Sequence, residues 1–222
     1  MVRAVVFFDV DGTLVPSTSS GQHLAEFLGH ADVVREVEAG YGAGTMTNQE
    51  ASVLDARGWA TWTPAAVGGF LESLPLVDGI AETVRWCRRH GLAPVLATLA
   101  WDVVGTNLCD RFGFDRACGP RLEVIDGRYS GQVAEHFDEL GKRDFAVSVA
   151  AELGVELGRC AAVGDGRSDV PLFGEVGLAI AFNATQAARA AAHVSVDGTD
   201  LRAVLPLLDA WLDAADPSRT SA

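Results

Sequence analysis

Near its start the chain reads Ala4-Val5-Val6-Phe7-Phe8-Asp9-Val10-Asp11-Gly12-Thr13. Five apolar residues without alternation suit a strand buried on both faces of a parallel sheet. In an open parallel sheet ligands bind at the carboxyl ends of the strands, so Asp9 and Asp11 would project into a site. Gly12 frees the backbone to turn toward the next element. Two carboxylates this close repel unless a cation lies between them or one holds a proton. Either arrangement is useful: one group stays ionised as ligand and nucleophile while the other shuttles a proton. Taken alone, the motif also fits an Asx turn that caps a strand end.

Similar apolar runs recur at 92–97, 160–163 and 178–181, with a weaker one at 193–196. Helical patterns lie between them: 80–90 is closed by Gly91 and 143–153 by Gly154, as left-handed C-terminal positions require. This alternation predicts an α/β fold, a Rossmann-like doubly wound parallel sheet. Asp126-Gly127 between 122–125 and 128–133 predicts a hairpin with a tight primed turn. Residues 16–76 carry no buried-strand run. Leu24, Phe27 and Leu28 recur at helical spacing, Thr47-Asn48-Gln49-Glu50 reads as a capping box, and Thr63-Pro64 as an N-cap before a first-turn proline. The expected organisation is a core of residues 1–15 and 77–216, a small helical cap of 16–76 inserted after the first strand, and a disordered tail of 217–222.

The 222 residues hold 17 Lys+Arg against 30 Asp+Glu, a net charge of −13, which argues against nucleic acid or an anionic membrane as a partner. A small anionic substrate is compatible, because one metal ion and a few backbone N–H groups reverse the local field. With 49% hydrophobic and 21% charged residues the chain has the composition of a soluble globular protein. Cys87, Cys109, Cys118 and Cys160 stand singly and are expected to be free thiols. The first apolar run is too short for a secretion signal, and no later run reaches the roughly 18 residues a membrane span needs. A cytoplasmic address is the expectation.

A second pair of acids follows another predicted strand: Ala161-Ala162-Val163-Gly164-Asp165-Gly166-Arg167-Ser168-Asp169. Carboxylates from two strand ends supply the oxygen ligands that a hard cation such as Mg²⁺ prefers. Asp165 and Asp169 also fit a simpler role as helix-capping acids. Thr98, ending the 92–97 strand, could donate to phosphate oxygens, and Lys142, at the start of a helix, offers a compact cation for phosphoryl transfer.

In this order Asp9-x-Asp11-Gly-Thr, Thr98, Lys142 and Gly164-Asp165-Gly-x-x-Asp169 resemble the four signature motifs of the haloacid dehalogenase-like hydrolase superfamily. Within it, the stretches 121–131, 164–173 and 177–184 are similar to those of the phosphoserine phosphatase subgroup. The resemblance implies a phosphatase of small phosphorylated metabolites. Asp9 would be the nucleophile that forms an aspartyl-phosphate, and Asp11 the proton shuttle. Mg²⁺ would be held by Asp9, Asp165 and the main-chain carbonyl of Asp11, with Asp169 ordering the site. Thr98, Lys142 and backbone N–H groups, those of Gly12 and Leu99 among them, would bind the phosphoryl oxygens.

Several positions depart from that subgroup. Its Gly-Gly after the second motif is Leu99-Ala100, followed by Trp101; its lid glutamate falls on Thr18; its lid arginine falls on Asp55, with Arg57 two residues on. A zwitterion would lose its partners, so the sequence leads to the expectation of a phosphate ester other than phosphoserine. Tyr41, Trp59, Trp62 and Trp101 suggest an aromatic-lined pocket, although the same rings would serve equally as the cap's own core. The candidate substrate contacts are therefore Thr18, Tyr41, Arg57, Trp59, Trp62, Trp101 and Ser168. His23 and His30 lack companions at ligand spacing and are expected to be surface or helix-packing residues. Phosphoserine hydrolysis itself, phosphoryl transfer to an alcohol, and a catalytically silent ligand-binding descendant remain as alternatives.

Overall fold

A computed structural model describes residues 2–215. Strand β1 (Ala4–Phe8) is followed by four helices, α1 (Ser20–Leu28), α2 (Ala31–Gly42), α3 (Asn48–Ala56) and α4 (Pro64–Phe70), with no strand between them. Then come α5 (Ile80–Arg89), β2 (Leu92–Leu96), α6 (Asp102–Phe112) and the two strands β3 (Arg121–Ile125) and β4 (Arg128–Glu135). The chain continues through α7 (Glu139–Glu152), β5 (Cys160–Gly164), α8 (Val170–Phe173), β6 (Leu178–Phe182), α9 (Gln186–Ala191), β7 (Val194–Val196) and α10 (Leu205–Ala215).

Five strands form one parallel sheet in the order β2-β1-β5-β6-β7, with β1 inside and its neighbours drawn from distant parts of the chain. Phe8 is level with Leu96 on one side and Val163 on the other. The carboxyl ends of β2, β1 and β5 therefore lie abreast, which brings Thr98, Asp9 and Asp165 to one rim of the sheet. Residues of β1 are buried on both faces, as the run without alternation predicts: Val6 and Phe8 pack toward α5, α6 and α10, and Val5 and Phe7 toward α7, α8 and α9. Each such side chain stabilises the fold by about 1.5–3 kcal/mol.

The helical insertion is punctuated as its sequence indicates. Thr47 caps α3 by accepting from Glu50 N–H, while Glu50 accepts from Thr47 N–H at 2.9 Å. Thr63 caps α4 ahead of Pro64. Asp126 and Gly127, with φ of 51° and 75°, make the primed turn of the β3–β4 hairpin. That hairpin is a separate two-stranded sheet. Tyr129 donates to the Trp62 carbonyl at 2.9 Å and accepts from Thr61 N–H at 3.0 Å. Strands from beyond residue 76 thus hydrogen-bond to the insertion. The four cysteines are free thiols. Among the described residues no helix is long and apolar enough to cross a membrane. The expected disordered tail, 217–222, lies outside the described residues.

Candidate active site

Asp9 prolongs β1 by one step, its N–H donating to the Val163 carbonyl at 2.9 Å. The glycines beside it make room for acids. A Cβ on Gly12, whose φ is +82°, would stand 2.2 Å from the Asp165 carboxylate, and one on Gly164 would meet that of Asp169 at 2.1 Å. The missing side chain at Gly12 lets the two loops approach each other, and the one missing at Gly164 lets Asp169 fold back on its own loop.

Oxygen atoms of Asp9, Asp165 and Asp169 all lie within 4.8 Å of one another. Lys142, fully buried, places Nζ 2.9 Å from Asp9 Oδ1 and 2.6 Å from Asp169 Oδ1. It also donates to Ser168 Oγ at 3.3 Å. The other oxygen of Asp169 accepts the N–H groups of Asp165 and Gly166, each at 3.0 Å, so this acid orders both the lysine and the loop that carries Asp165. Burial drives the Asp9 carboxyl above its ordinary range; Lys142 draws it back and the charge of Asp169 adds to the rise. Asp165 is raised by burial and then by the charges of Asp9 and Asp169. For Lys142 burial works against the charged form, but Asp169 and Asp9 hold its pKa above the usual value. Three acids facing one ammonium leave an excess of negative charge on oxygen donors, a set that fits a divalent cation such as Mg²⁺.

Asp11 is set apart from this cluster. The N–H of Ser20, first residue of α1, donates to its Oδ1 at 2.6 Å. Burial pushes its carboxyl up to about 6, with the Ser20 hydrogen bonding opposing the rise. Thr98 is buried, and its hydroxyl oxygen accepts from Ala100 N–H at 3.1 Å, which leaves the hydroxyl proton for another acceptor.

A cavity of about 440 Å³ opens between these groups and the helical insertion. Asp9, Asp11, Thr98, Leu99, Asp165 and Ser168 line it, as do Tyr41 and Trp101. Thr18, Arg57, Trp59 and Trp62 do not. Trp59 is fully buried and meets Trp101 and Tyr129 edge-on at 5.8 and 5.3 Å, while Trp62 packs on Phe70 at 5.4 Å. These two rings belong to the insertion's own packing. Arg57 is exposed on a single 3₁₀ turn, and Thr18 precedes the Ser19 cap of α1. His23 and His30 bond between elements, His23 to the Phe70 carbonyl and His30 to Asp55.

Asp55 sits on the cavity wall, its carboxylate bonded by Trp101 Nε1 at 2.7 Å, Trp59 Nε1 at 3.1 Å and His30 Nε2 at 2.6 Å. Two charged cavity residues escaped the sequence reading. Glu38 accepts from Ser19 Oγ, and burial raises its carboxyl. Its signal was present: Val34, Val37, Glu38 and Tyr41 recur at helical spacing on α2 and all face the cavity. Arg167 stands between the two acids of its loop, and its guanidinium lies 4.7 Å over the Tyr41 ring.

Residues 6–174 match the family profile of haloacid dehalogenase-like hydrolases. The chain belongs to that family. Among curated relatives it is similar to the phosphoserine phosphatase of Streptomyces coelicolor, with 30% identity over 99% of this chain and 54% of that protein. It is also similar to the phosphoserine phosphatase of Methanocaldococcus jannaschii, with 26% identity over 91% of this chain and 96% of that protein. The chain spans about half the length of the Streptomyces relative and of SerB2 from Mycobacterium tuberculosis. A solved substrate-bound phosphoserine phosphatase complex shares the hydrolase fold, with TM-score 0.85 and 23% identity over 94% of this chain and 99% of that one.

Proposed function

We propose that the chain is a Mg²⁺-dependent phosphomonoesterase whose substrate is phosphoserine. The observation that carries the chemistry is the pairing on one loop of Asp9, in contact with Lys142, and Asp11, held apart on the Ser20 N–H. In this reading an Asp9 oxygen attacks phosphorus in line, and the bond from phosphorus to the leaving oxygen breaks as Asp11 gives that oxygen its proton. Asp11, now a carboxylate, takes a proton from water as the water attacks the aspartyl-phosphate. The bond between phosphorus and Asp9 then breaks, releasing inorganic phosphate and restoring both acids. Lys142 and the Thr98 hydroxyl hold the transferring phosphoryl oxygens, with the N–H of Leu99 beside them; the Gly12 N–H, expected to join them, donates instead to the Val15 carbonyl at 3.0 Å. Mg²⁺, held by Asp9, Asp165 and the Asp11 main-chain oxygen with Asp169 behind them, would offset the phosphate charge.

The names of the relatives support phosphoserine over the different ester that Thr18 and Asp55 led the sequence reading to expect. Glu38 removes half of the objection. It lies on the cavity wall as an acid suited to the substrate's ammonium group, carried on α2 and not on the loop position occupied by Thr18. The test is a panel of phosphate esters assayed with Mg²⁺ and with chelator. Phosphoserine should be the best substrate and chelator should abolish turnover. A different ester preferred by more than about tenfold in kcat/KM, roughly 1.4 kcal/mol of transition-state binding, would reject phosphoserine.

A further inference from the structure

Phosphoserine also carries a carboxylate, and the cavity wall is poor in groups to hold one. Glu38 and Asp55 are acids, and Lys142, which does not line the cavity, is bonded to Asp9 and Asp169. Among the described residues that line the cavity, Arg167 is the one cation. The position expected to supply a lid arginine is Asp55, whose oxygens are bonded by Trp101, Trp59 and His30.

Arg167 is held by residues of two helices, α2 and α7. Its Nη1 donates to the main-chain carbonyl of Tyr41 at 2.8 Å, and its Nη2 to Glu139 Oε1 at 3.2 Å. Its guanidinium carbon lies 4.7 Å from the centroid of the Tyr41 ring, a cation–π contact that adds a third restraint. A guanidinium has five N–H groups in a rigid fork, so these two bonds leave donors for a ligand. The fork matches a carboxylate in two parallel hydrogen bonds, which an ammonium cannot do. The backbone under Arg167 is the loop that Asp169 ties to Asp165, so its reach is set relative to the reacting groups.

We infer that Arg167 determines specificity by binding the substrate carboxylate, placing that recognition on the core loop and not in the helical insertion. The inference rests on the phosphoserine reading. It is tested by comparing phosphoserine with phosphoethanolamine, which keeps the ester and the ammonium but lacks the carboxylate. Arg167→Gln should lower kcat/KM for phosphoserine by about tenfold or more, the scale of a lost charge-assisted hydrogen bond, chiefly through KM. The ratio of phosphoserine to phosphoethanolamine kcat/KM should fall by a similar factor, and Arg167→Lys should restore part of it. Equal losses on both esters would overturn the inference and leave Arg167 as a clasp between Tyr41 and Glu139. No change on either ester would overturn it too. A wild-type protein that cleaves phosphoethanolamine but not phosphoserine would instead refute the phosphoserine reading itself, and the inference with it.

Discussion

The backbone N–H of Ser20 donates to the carboxylate of Asp11 at 2.6 Å, so the first turn of the helical insertion and an acid of the core loop share a hydrogen bond. A helix N-terminus favours the ionised acid, while burial favours the protonated one and places its carboxyl at about 6. A group poised there can both give and take a proton near neutral pH. Formation of the phospho-enzyme, which needs Asp11 protonated, should slow as pH rises above about 6, whereas its hydrolysis should speed up. Rapid-quench measurement of the two steps across pH would check this. Asp11→Asn should remove both dependences and lower kcat by roughly 10²–10⁴-fold.

Gly12→Ala should cost stability and activity together. The substitution places a side chain at a φ of +82° and drives its Cβ into the Asp165 carboxylate. Backbone strain of this kind costs about 1–3 kcal/mol. Denaturant unfolding and a Mg²⁺ titration of the variant should show lower stability and a weaker metal response. A variant with wild-type Mg²⁺ response would contradict the close approach of the two loops.

The metal-free protein should lose stability as pH rises from about 4 through neutrality. Asp9 and Asp165 have carboxyls raised above their unfolded values, so in this window the folded chain holds more protons than the unfolded chain. Stability then falls with pH, the reverse of the usual behaviour of a paired carboxylate. Mg²⁺ should offset the loss, giving a larger gain in Tm at pH 8 than at pH 5. Melting curves with Mg²⁺ and with chelator at the two pH values measure both effects.

Trp101→Phe should destabilise the protein by about 1–3 kcal/mol, because it removes an N–H from the buried Asp55 carboxylate. Adding Asp55→Asn should return part of that loss, and thermal unfolding of the single and double variants would show it. Additive losses would mean that the indole acts by packing alone.

Much of the core could be read from the chain because strands buried on both faces leave unbroken apolar runs, and acids immediately after two of them mark the rim of the sheet. The runs at 4–8, 160–163 and 178–181 became β1, β5 and β6 with boundaries shifted by no more than a residue. Helix α6 was not anticipated, and its N-cap, Trp101, makes no side-chain capping bond that could have announced it. The hairpin turn was legible from Asp126-Gly127, but its docking on residues 61 and 62 depends on tertiary bonds that no local pattern encodes. The site divides in the same way. Asp9, Asp11, Thr98, Lys142, Asp165 and Asp169 follow strand ends or a helix start and are carried by local backbone. The substrate-facing wall is assembled across elements, so counting from a motif led to Thr18, which lies off the cavity, and to Asp55, which lines it as an acid where an arginine was sought, while Glu38 and Arg167 line it without having been counted.

The account stands on Asp9 becoming phosphorylated. Protein mixed with phosphoserine labelled on its phosphoryl group, quenched in acid during turnover and digested, should carry the label on the peptide that contains Asp9. Asp9→Asn should carry none and lose kcat by several orders of magnitude. An unlabelled wild-type protein, together with an Asp9→Asn variant that retains more than about a tenth of the activity, would contradict it.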